Sequence, residues 1–533
     1  MDELGAWARR QGERPALIFP GSAGSDAEEV VVSFAELDAM ANAAARWLVG
    51  QGLLAGDTLA LLLENRTEAV VMCWAARRAG IYYALLNTHL KPAELAYLLA
   101  DCGARMLVAS RALAASLPDA ARGGIPLAIV DGMPEAVPDV IDDPDAIDYQ
   151  EALARYAAPG VLPVRPVGRE FFYSSGTSGF PKGIKRPLDP PESRGAVQPF
   201  HALVDHMMAI AAEGAPDAVY LSPAPFYHAA PHAFSMHALA RGMAVVMLRR
   251  FDAEAALAAM ERYRVTHSQW VPTMFVRMLA LPEATRRRYD LAAHVRAIHA
   301  AAPCPVHVKE RLIAWWGRIV VEYYAGSENI GLTFLDCEEW LAHKGSVGRP
   351  AGALRVHICD ATGAELPPGE VGTIWFEGIQ SRFEYHNAPD KTAGVFNDRG
   401  WGTYNDIGHL DADGYLYLSD RRTDLILSGG VNVYPAEIES VLLRHPWVAD
   451  AAAFGIPDAE MGEVPYGVVQ LRDEAPGARP DGAALRAHCA AYLGRLKCPR
   501  AIDIVDALPR TETGKLLRRE LRERYRASAG EPR

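Results

Sequence analysis

Residues Tyr173–Gly183 read YSSGTSGFPKG. Hydroxyl side chains, three glycines, a proline and a single lysine share eleven positions. Such a loop can wrap an anion with backbone N–H groups, hydroxyl donors and one mobile cation. It is not a Walker A loop. Counted from Gly176, Lys182 falls at the Walker lysine, but Pro181 replaces the second glycine and Gly183 replaces the magnesium-holding hydroxyl residue. Clusters of this composition also make ordinary surface loops, so the rest of the chain has to decide.

With 533 residues, the chain predicts roughly three or four compact units at about 150 residues each. Half the residues are hydrophobic and 23% are charged, as in ordinary globular proteins. The net charge of −12 argues against a general nucleic-acid binder, whose surface would be basic. Seven cysteines stand without any C-x-x-C pair, so neither a zinc site nor a disulfide framework is indicated. The acidic start, MDELGAWARR, lacks the apolar centre of a signal peptide. The longest apolar run, Glu68 to Asn87, is interrupted by Arg77 and Arg78, so no transmembrane segment is expected. A cytoplasmic location is the expectation.

Working outward from the loop, helix and strand patterns alternate. Ser33 and Glu36 form a capping box that opens a helix to about Val49. Strand patterns follow at Asp57 to Leu63 and Met106 to Ala109, with a helix from Glu68 to Ala79 between them. After the loop, Val219 to Ser222, Ala244 to Leu248, His267 to Val271 and Val295 to Ala300 read as strands separated by helices. This alternation predicts α/β layers around parallel sheets. From Val347 short strands joined by Pro/Gly turns (Arg355 to Cys359, Gly372 to Glu377, Tyr415 to Ser419) predict a small all-β unit. The charged run DRRTD then precedes a small α/β pattern. The polar tail after Leu521 is expected to fray.

Five further segments stand in order after the loop: SPAPFYH (Ser222 to His228), YYAGSENIG (Tyr323 to Gly331), YNDIGHLDADGYLYLSD (Tyr404 to Asp420), RRTDLILSGGVNVYPAEIE (Arg421 to Glu439) and PRTETGK (Pro509 to Lys515). Together with the loop they resemble the adenylate-forming superfamily, in its acyl-CoA synthetase branch. The resemblance spans about Ser33 to Arg519. It implies a large N-terminal AMP-binding domain, 1–420, made of α/β subdomains with a small β-barrel at about 347–420. A hinge at 420–424 and a small mobile α+β domain, 425–533, would follow. The implied reaction joins a carboxylic acid to ATP as acyl-AMP, releasing pyrophosphate, and then passes the acyl group to coenzyme A.

The resemblance also implies roles. Ser174, Ser175, Gly176, Thr177, Ser178, Gly179 and Lys182 would hold the ATP phosphates, and Glu328 would hold Mg2+. Ser327 stands where threonine is usual. Ala302, Pro303, Tyr324, Asp406 and Arg421 would hold adenosine, with Tyr324 on adenine and Asp406 accepting from both ribose hydroxyls. Lys515, a flexible point charge, would meet the reacting carboxylate. Ser428, Gly429 and Gly430 would line the pantetheine channel after the C-terminal domain rotates. His228 would lie between acyl pocket and thioester channel. His228 and His232 lack the glutamate of an H-E-x-x-H metal motif, so packing or gating is the expectation for them.

The acyl pocket would be lined by Trp270, Val271, Met274, Ala300, Ala301, Ala325 and Gly326, an apolar wall suited to a medium or long chain or a bulky cyclic acid. The segment Phe226 to His232 carries no acid to hold a substrate ammonium, which argues against an amino acid. A ligase that loads a separate carrier protein, or an aryl-CoA ligase, fits the same motifs. A non-catalytic nucleotide binder is disfavoured by the intact Lys182, Glu328, Asp406 and Lys515. The resemblance is compatible with a homodimer.

Overall fold

The computed structural model describes residues 2–21, 28–117, 122–131, 145–174, 181–195, 199–379, 383–421, 424–428, 431–458, 461–511 and 516–529. Two α/β sheets form the bulk of the N-terminal part. One has nine strands in the spatial order 349–350, 332–335, 320–325, 296–299, 267–270, 219–222, 244–247, 15–19 and 30–33. Its central strands, from Val320–Ala325 through Pro15–Phe19, all pair in parallel. The other has six strands, all parallel, centred on Thr58–Leu62. Helices cover these sheets, so strands such as Thr58–Leu62 are buried at every position, as parallel strands require.

The predicted elements are present with boundaries shifted by a residue or two. Helix Phe34–Gly50 carries both reciprocal bonds of the Ser33/Glu36 capping box. Helix Thr67–Ala79 ends on Gly80 in the left-handed region, at φ 71°, where the absent Cβ removes the steric penalty.

The all-β unit takes the form of a four-stranded antiparallel sheet, with strands in the order 355–359, 372–377, 406–410 and 416–421. Among the described residues its end strands do not pair with each other. Instead it shares one apolar core, including Ile184, Ile374, Phe376 and Tyr385, with the three-stranded sheet that carries the phosphate-loop hairpin.

After Asp424 a separate α+β body follows, with five strands and helices Pro435–Leu442, Gly482–Ala490 and Arg518–Ala529. The last helix corrects the expectation of a frayed tail. Leu521 and Tyr525, one turn apart, pack on Phe454 and Tyr466, an apolar stripe that holds the helix down. Arg518 clamps it further, donating to both oxygens of Glu439 (2.7 and 2.8 Å) and pairing with Asp424 at 3.3 Å. All seven cysteines are free thiols. Among the described residues no helix is long and apolar enough to cross a membrane.

Candidate active site

Four motif segments leave the carboxyl ends of four adjacent parallel strands. Residues 222–228 follow Val219–Ser222, 271–275 follow His267–Trp270, 300–303 follow Arg296–His299, and 326–331 follow Val320–Ala325. That edge is where open α/β sheets bind ligands. The phosphate-loop hairpin borders it. Phe172–Ser174 pairs antiparallel with Lys182–Lys185, with Ser174 opposite Lys182, and the hairpin pairs in turn with Glu384–Tyr385. One continuous cavity of about 3070 Å³ runs along these segments and reaches the C-terminal body.

Lys182 and Glu328 meet through Tyr385. The Lys182 ammonium lies 4.8 Å from the Tyr385 ring centroid, and the Tyr385 hydroxyl donates to Glu328 Oε1 at 2.9 Å. Burial, seconded by Lys391, lowers the pKa of Lys182, with Glu328 opposing. A carboxylate beside the Ser327 hydroxyl is a hard, sparse oxygen set. It fits Mg2+, which keeps several waters and shares phosphate oxygens rather than filling an all-protein cage.

Where adenosine is expected, the Tyr324 hydroxyl donates to Asp406 Oδ2 at 2.5 Å. Asp406 faces Arg421 across the antiparallel pair Asp406–Leu410/Leu416–Arg421, so two predicted ribose contacts are cross-strand partners. Tyr404 supports both groups. Its hydroxyl donates to the Gly331 carbonyl (2.8 Å) and accepts from the Gly331 N–H (3.0 Å), and its ring meets Tyr324 edge-on. Ala301, Asn329 and Asn405 adopt positive φ at 75°, 55° and 61°. Non-glycine residues in that region cost about 1 kcal/mol or more, and they concentrate at functional sites.

His228, Lys182, Ala302, Pro303, Tyr324, Ser327, Glu328 and Asp406 all line the cavity, as do Val271, Ala300, Ala301, Ala325 and Gly326. Trp270 and Met274 do not; both sit in the core behind, where Trp270 packs on Phe275 and Trp316. On strand His267–Trp270 the Trp270 side chain shares a face with Ser268, whose hydroxyl accepts from the indole at 2.5 Å. His232, by contrast, borders the cavity from a largely buried position. It is buried against Tyr83, Phe172 and Phe226, and burial pushes its pKa down to about 4.

Ser428 is 1% exposed and lies off the cavity, in the strand Ile426–Ser428. Thr511 and Leu516 line the cavity, and Arg510 forms an antiparallel bridge with Leu516. Ser175, Gly176, Thr177, Ser178, Gly179, Gly429, Gly430 and Lys515 lie outside the described residues, as do the side chains of Ser174 and Arg421.

Sequence reasoning missed Tyr385, Tyr404 and Asn65. Asn65 follows the strand Thr58–Leu62 of the six-stranded sheet and satisfies its whole amide on the other sheet. Nδ2 donates to the carbonyls of Ala224 (3.0 Å) and Leu248 (2.8 Å), and Oδ1 accepts from the Phe226 N–H (2.6 Å). It thereby fixes the segment that carries His228. Only a polar residue just past a buried strand could have signalled it.

The AMP-binding enzyme family matches residues 4–385 and the AMP-binding enzyme C-terminal domain matches residues 437–515. A 2-succinylbenzoate–CoA ligase of Geobacillus kaustophilus is 33% identical over 92% of this chain and 92% of its own. A long-chain-fatty-acid–CoA ligase of Mycobacterium tuberculosis is 31% identical over 94% of each. The o-succinylbenzoate CoA synthetase of Bacillus subtilis, solved with its acyl-adenylate intermediate, superposes with a TM-score of 0.77 at 27% identity, covering 100% of this chain and 98% of that one. The chain belongs to the AMP-binding enzymes, the adenylate-forming superfamily, and is an AMP-forming ligase of the acyl-CoA synthetase branch.

Proposed function

We propose that this protein activates a carboxylic acid with ATP and transfers the acyl group to coenzyme A. The observation that carries the reading is that a cation–carboxylate cluster (Lys182, Tyr385, Glu328) and a nucleoside-type pair (Tyr324, Asp406) border one cavity that reaches the C-terminal body.

In the first step the substrate carboxylate attacks the α-phosphorus of ATP. A new O–P bond forms, the bond to pyrophosphate breaks, and acyl-AMP results. Two anions approach each other, so positive charge aimed at the developing charge is the main catalytic need. Lys182 supplies it at the leaving pyrophosphate. Glu328 would hold Mg2+, which adds positive charge at the phosphates when bound. Asp406 accepts hydrogen bonds from the ribose diol, and Tyr324 lies beside adenine. Lys515 supplies charge at the reacting carboxylate. In the second step the coenzyme A thiol gives up its proton, sulfur bonds to the acyl carbon, the acyl C–O bond to AMP breaks, and AMP leaves with that oxygen.

The two steps use different faces of the C-terminal body. Strand Leu416–Arg421 belongs to the four-stranded sheet, whereas Asp424 is clamped to Arg518 and Arg522 of the last helix. The expected hinge at 420–424 thus joins a strand of that sheet to an aspartate held by the C-terminal body. Thr511 and Leu516 at the cavity, with Ser428 away from it, match the arrangement needed for adenylation.

The test separates the half-reactions. Lys515→Ala abolishes acid-dependent pyrophosphate release yet leaves thioester formation from supplied acyl-AMP largely intact. Gly430→Trp does the reverse. Equal loss of both steps in either variant contradicts the rotation. Turnover with free coenzyme A and no carrier protein separates this reading from carrier loading.

A further inference from the structure

The cavity does not end as the apolar acyl pocket expected from Val271, Ala300 and Ala325. It continues along helix Ala229–Ala240 past His237 to a polar chamber lined by Arg77, Arg194, Tyr83, His201 and Glu3. His237 lies nine positions beyond His228, so the chamber begins roughly 13 Å along the helix, at about 1.5 Å per residue.

Arg77 is the unusual member. It comes from the buried helix Thr67–Ala79, and its guanidinium lies 5.4 Å from the Trp74 ring centroid. It makes no hydrogen bond and no ion pair among the described residues. Its neighbours are committed elsewhere. Asp2 takes both Arg78 Nε (2.6 Å) and Nη2 (3.0 Å), and Glu170 pairs with Arg186 (3.2 Å) and Arg169 (3.6 Å). His237 is held by Asp205 at 2.8 Å. Arg194 donates to the Arg165 carbonyl at 3.3 Å and pairs with no carboxylate among the described residues. Glu3 is a nearby carboxylate with no ion pair among the described residues; it acts on Arg77 only through space, beyond ion-pair distance. Burial, then His237 and Arg77, lowers the pKa of His201 to about 4, so it is neutral near pH 7 and the chamber's positive charge is that of the arginines. Burial disfavours the Arg77 cation, but Tyr83, Glu3, Glu170 and Asp2 more than offset it and raise its pKa, yet none of them accepts a hydrogen bond from its guanidinium; such a fork of unmade donors facing a cavity matches a carboxylate.

We propose that this chamber is a subsite for a second anionic group on the substrate acid, with Arg77 as its anchor, so that the preferred substrates are acids carrying a carboxylate at the far end of a chain that spans the helix. This rests on the adenylation reading above, because the first carboxylate must sit at the His228 end. It also replaces the wholly apolar pocket with one that is apolar in the middle and charged at the end.

The experiment compares dodecanedioic acid with its monomethyl ester, which has the same length and one charge fewer. Acid-dependent pyrophosphate release in wild-type protein should favour the diacid by tenfold or more in kcat/KM. In Arg77→Met that ratio should fall at least tenfold, and Arg77→Lys should recover part of it. The diacid alone should raise Tm in the wild type and not in Arg77→Met, because only a bound ligand shifts the folding equilibrium. Turnover of the ester with no preference for the diacid, or a preference untouched by Arg77→Met, overturns the subsite and leaves adenylation standing. Pyrophosphate release from neither acid counts against the adenylation reading, and the Tm comparison then decides Arg77 by itself: a shift equal in both proteins, or absent from both, overturns the subsite.

Discussion

The Tyr324 hydroxyl donates to Asp406 at 2.5 Å, joining the end of a strand in the nine-stranded sheet to the first residue of a strand in the four-stranded sheet. The two residues are 82 positions apart. In the proposed nucleotide site their bond would hold an aromatic face and a diol acceptor at a fixed separation before nucleotide arrives, and such preorganisation reduces the cost of binding.

Asp406→Asn keeps the shape and removes the charge. Hydrogen bonds to a charged acceptor contribute about 1.5–3 kcal/mol, so KM for ATP should rise about 10- to 100-fold. Tyr324→Phe, which only frees Asp406 from its preset position, should raise it a few-fold. Initial rates of pyrophosphate release against ATP concentration check both. An Asp406→Asn variant with unaltered KM for ATP removes Asp406 from the ribose site.

Lys182 gives a pH signature. Its pKa is lowered by burial first and by Lys391 second. The neutral amine is favoured, so the proton is lost at lower pH than from a free lysine, and the cation proposed to address pyrophosphate disappears earlier on the alkaline side. The free-enzyme profile of kcat/KM for ATP should therefore fall below pH 10.5, the ordinary lysine value. Lys182→Arg should erase that limb, because guanidinium stays protonated, and Lys391→Gln should move it to higher pH. A limb that survives Lys182→Arg belongs to another group.

Gly326 stands between the acyl pocket and Ser327–Glu328. A Cβ there would lie 2.4 Å from Tyr404 Cε1 and 2.9 Å from Glu328 Oε2. Tyr404 cannot yield cheaply, since its hydroxyl is tied to both polar groups of Gly331. Gly326→Ala should cost about 1–3 kcal/mol, the usual range for overpacking, seen as a lower Tm together with weaker ATP binding. Unchanged Tm and KM would mean that the Tyr404 ring is free to move.

What could be read from sequence and what could not follows from range. The Ser33/Glu36 box, the strands around Thr58 and Leu221, and the order of the motifs are local patterns, and local patterns carry period and spacing directly. The Asp406–Arg421 register and the Tyr324–Asp406 bond depend on which strands neighbour each other, and no single segment encodes that. Trp270 was misassigned because a motif gives position along a strand, while the face is set by what packs there; Trp316 and Phe275 claim it for the core. Arg77 and Arg78 read alike as breaks in an apolar run. Only the fold gives Arg78 two aspartates and leaves Arg77 facing a chamber.

Asn65 tests how the two α/β sheets share the site. Its amide satisfies two carbonyls and one N–H from the facing sheet's loops, all buried. Asn65→Leu leaves those groups unpaired, at about 1–3 kcal/mol for each buried orphan, so a loss of several kcal/mol in denaturant unfolding is expected. Asn65→Asp is the more informative variant. It preserves volume and the bond from Phe226, but turns an acceptor toward the Ala224 and Leu248 carbonyls. Repulsion there should displace Pro225–His228 and lower kcat of the full reaction more than it raises KM for ATP, since the proposed nucleotide contacts lie on other strands. If Asn65→Asp instead raised KM for ATP and left kcat intact, the segment it holds would serve the nucleotide rather than the acyl group.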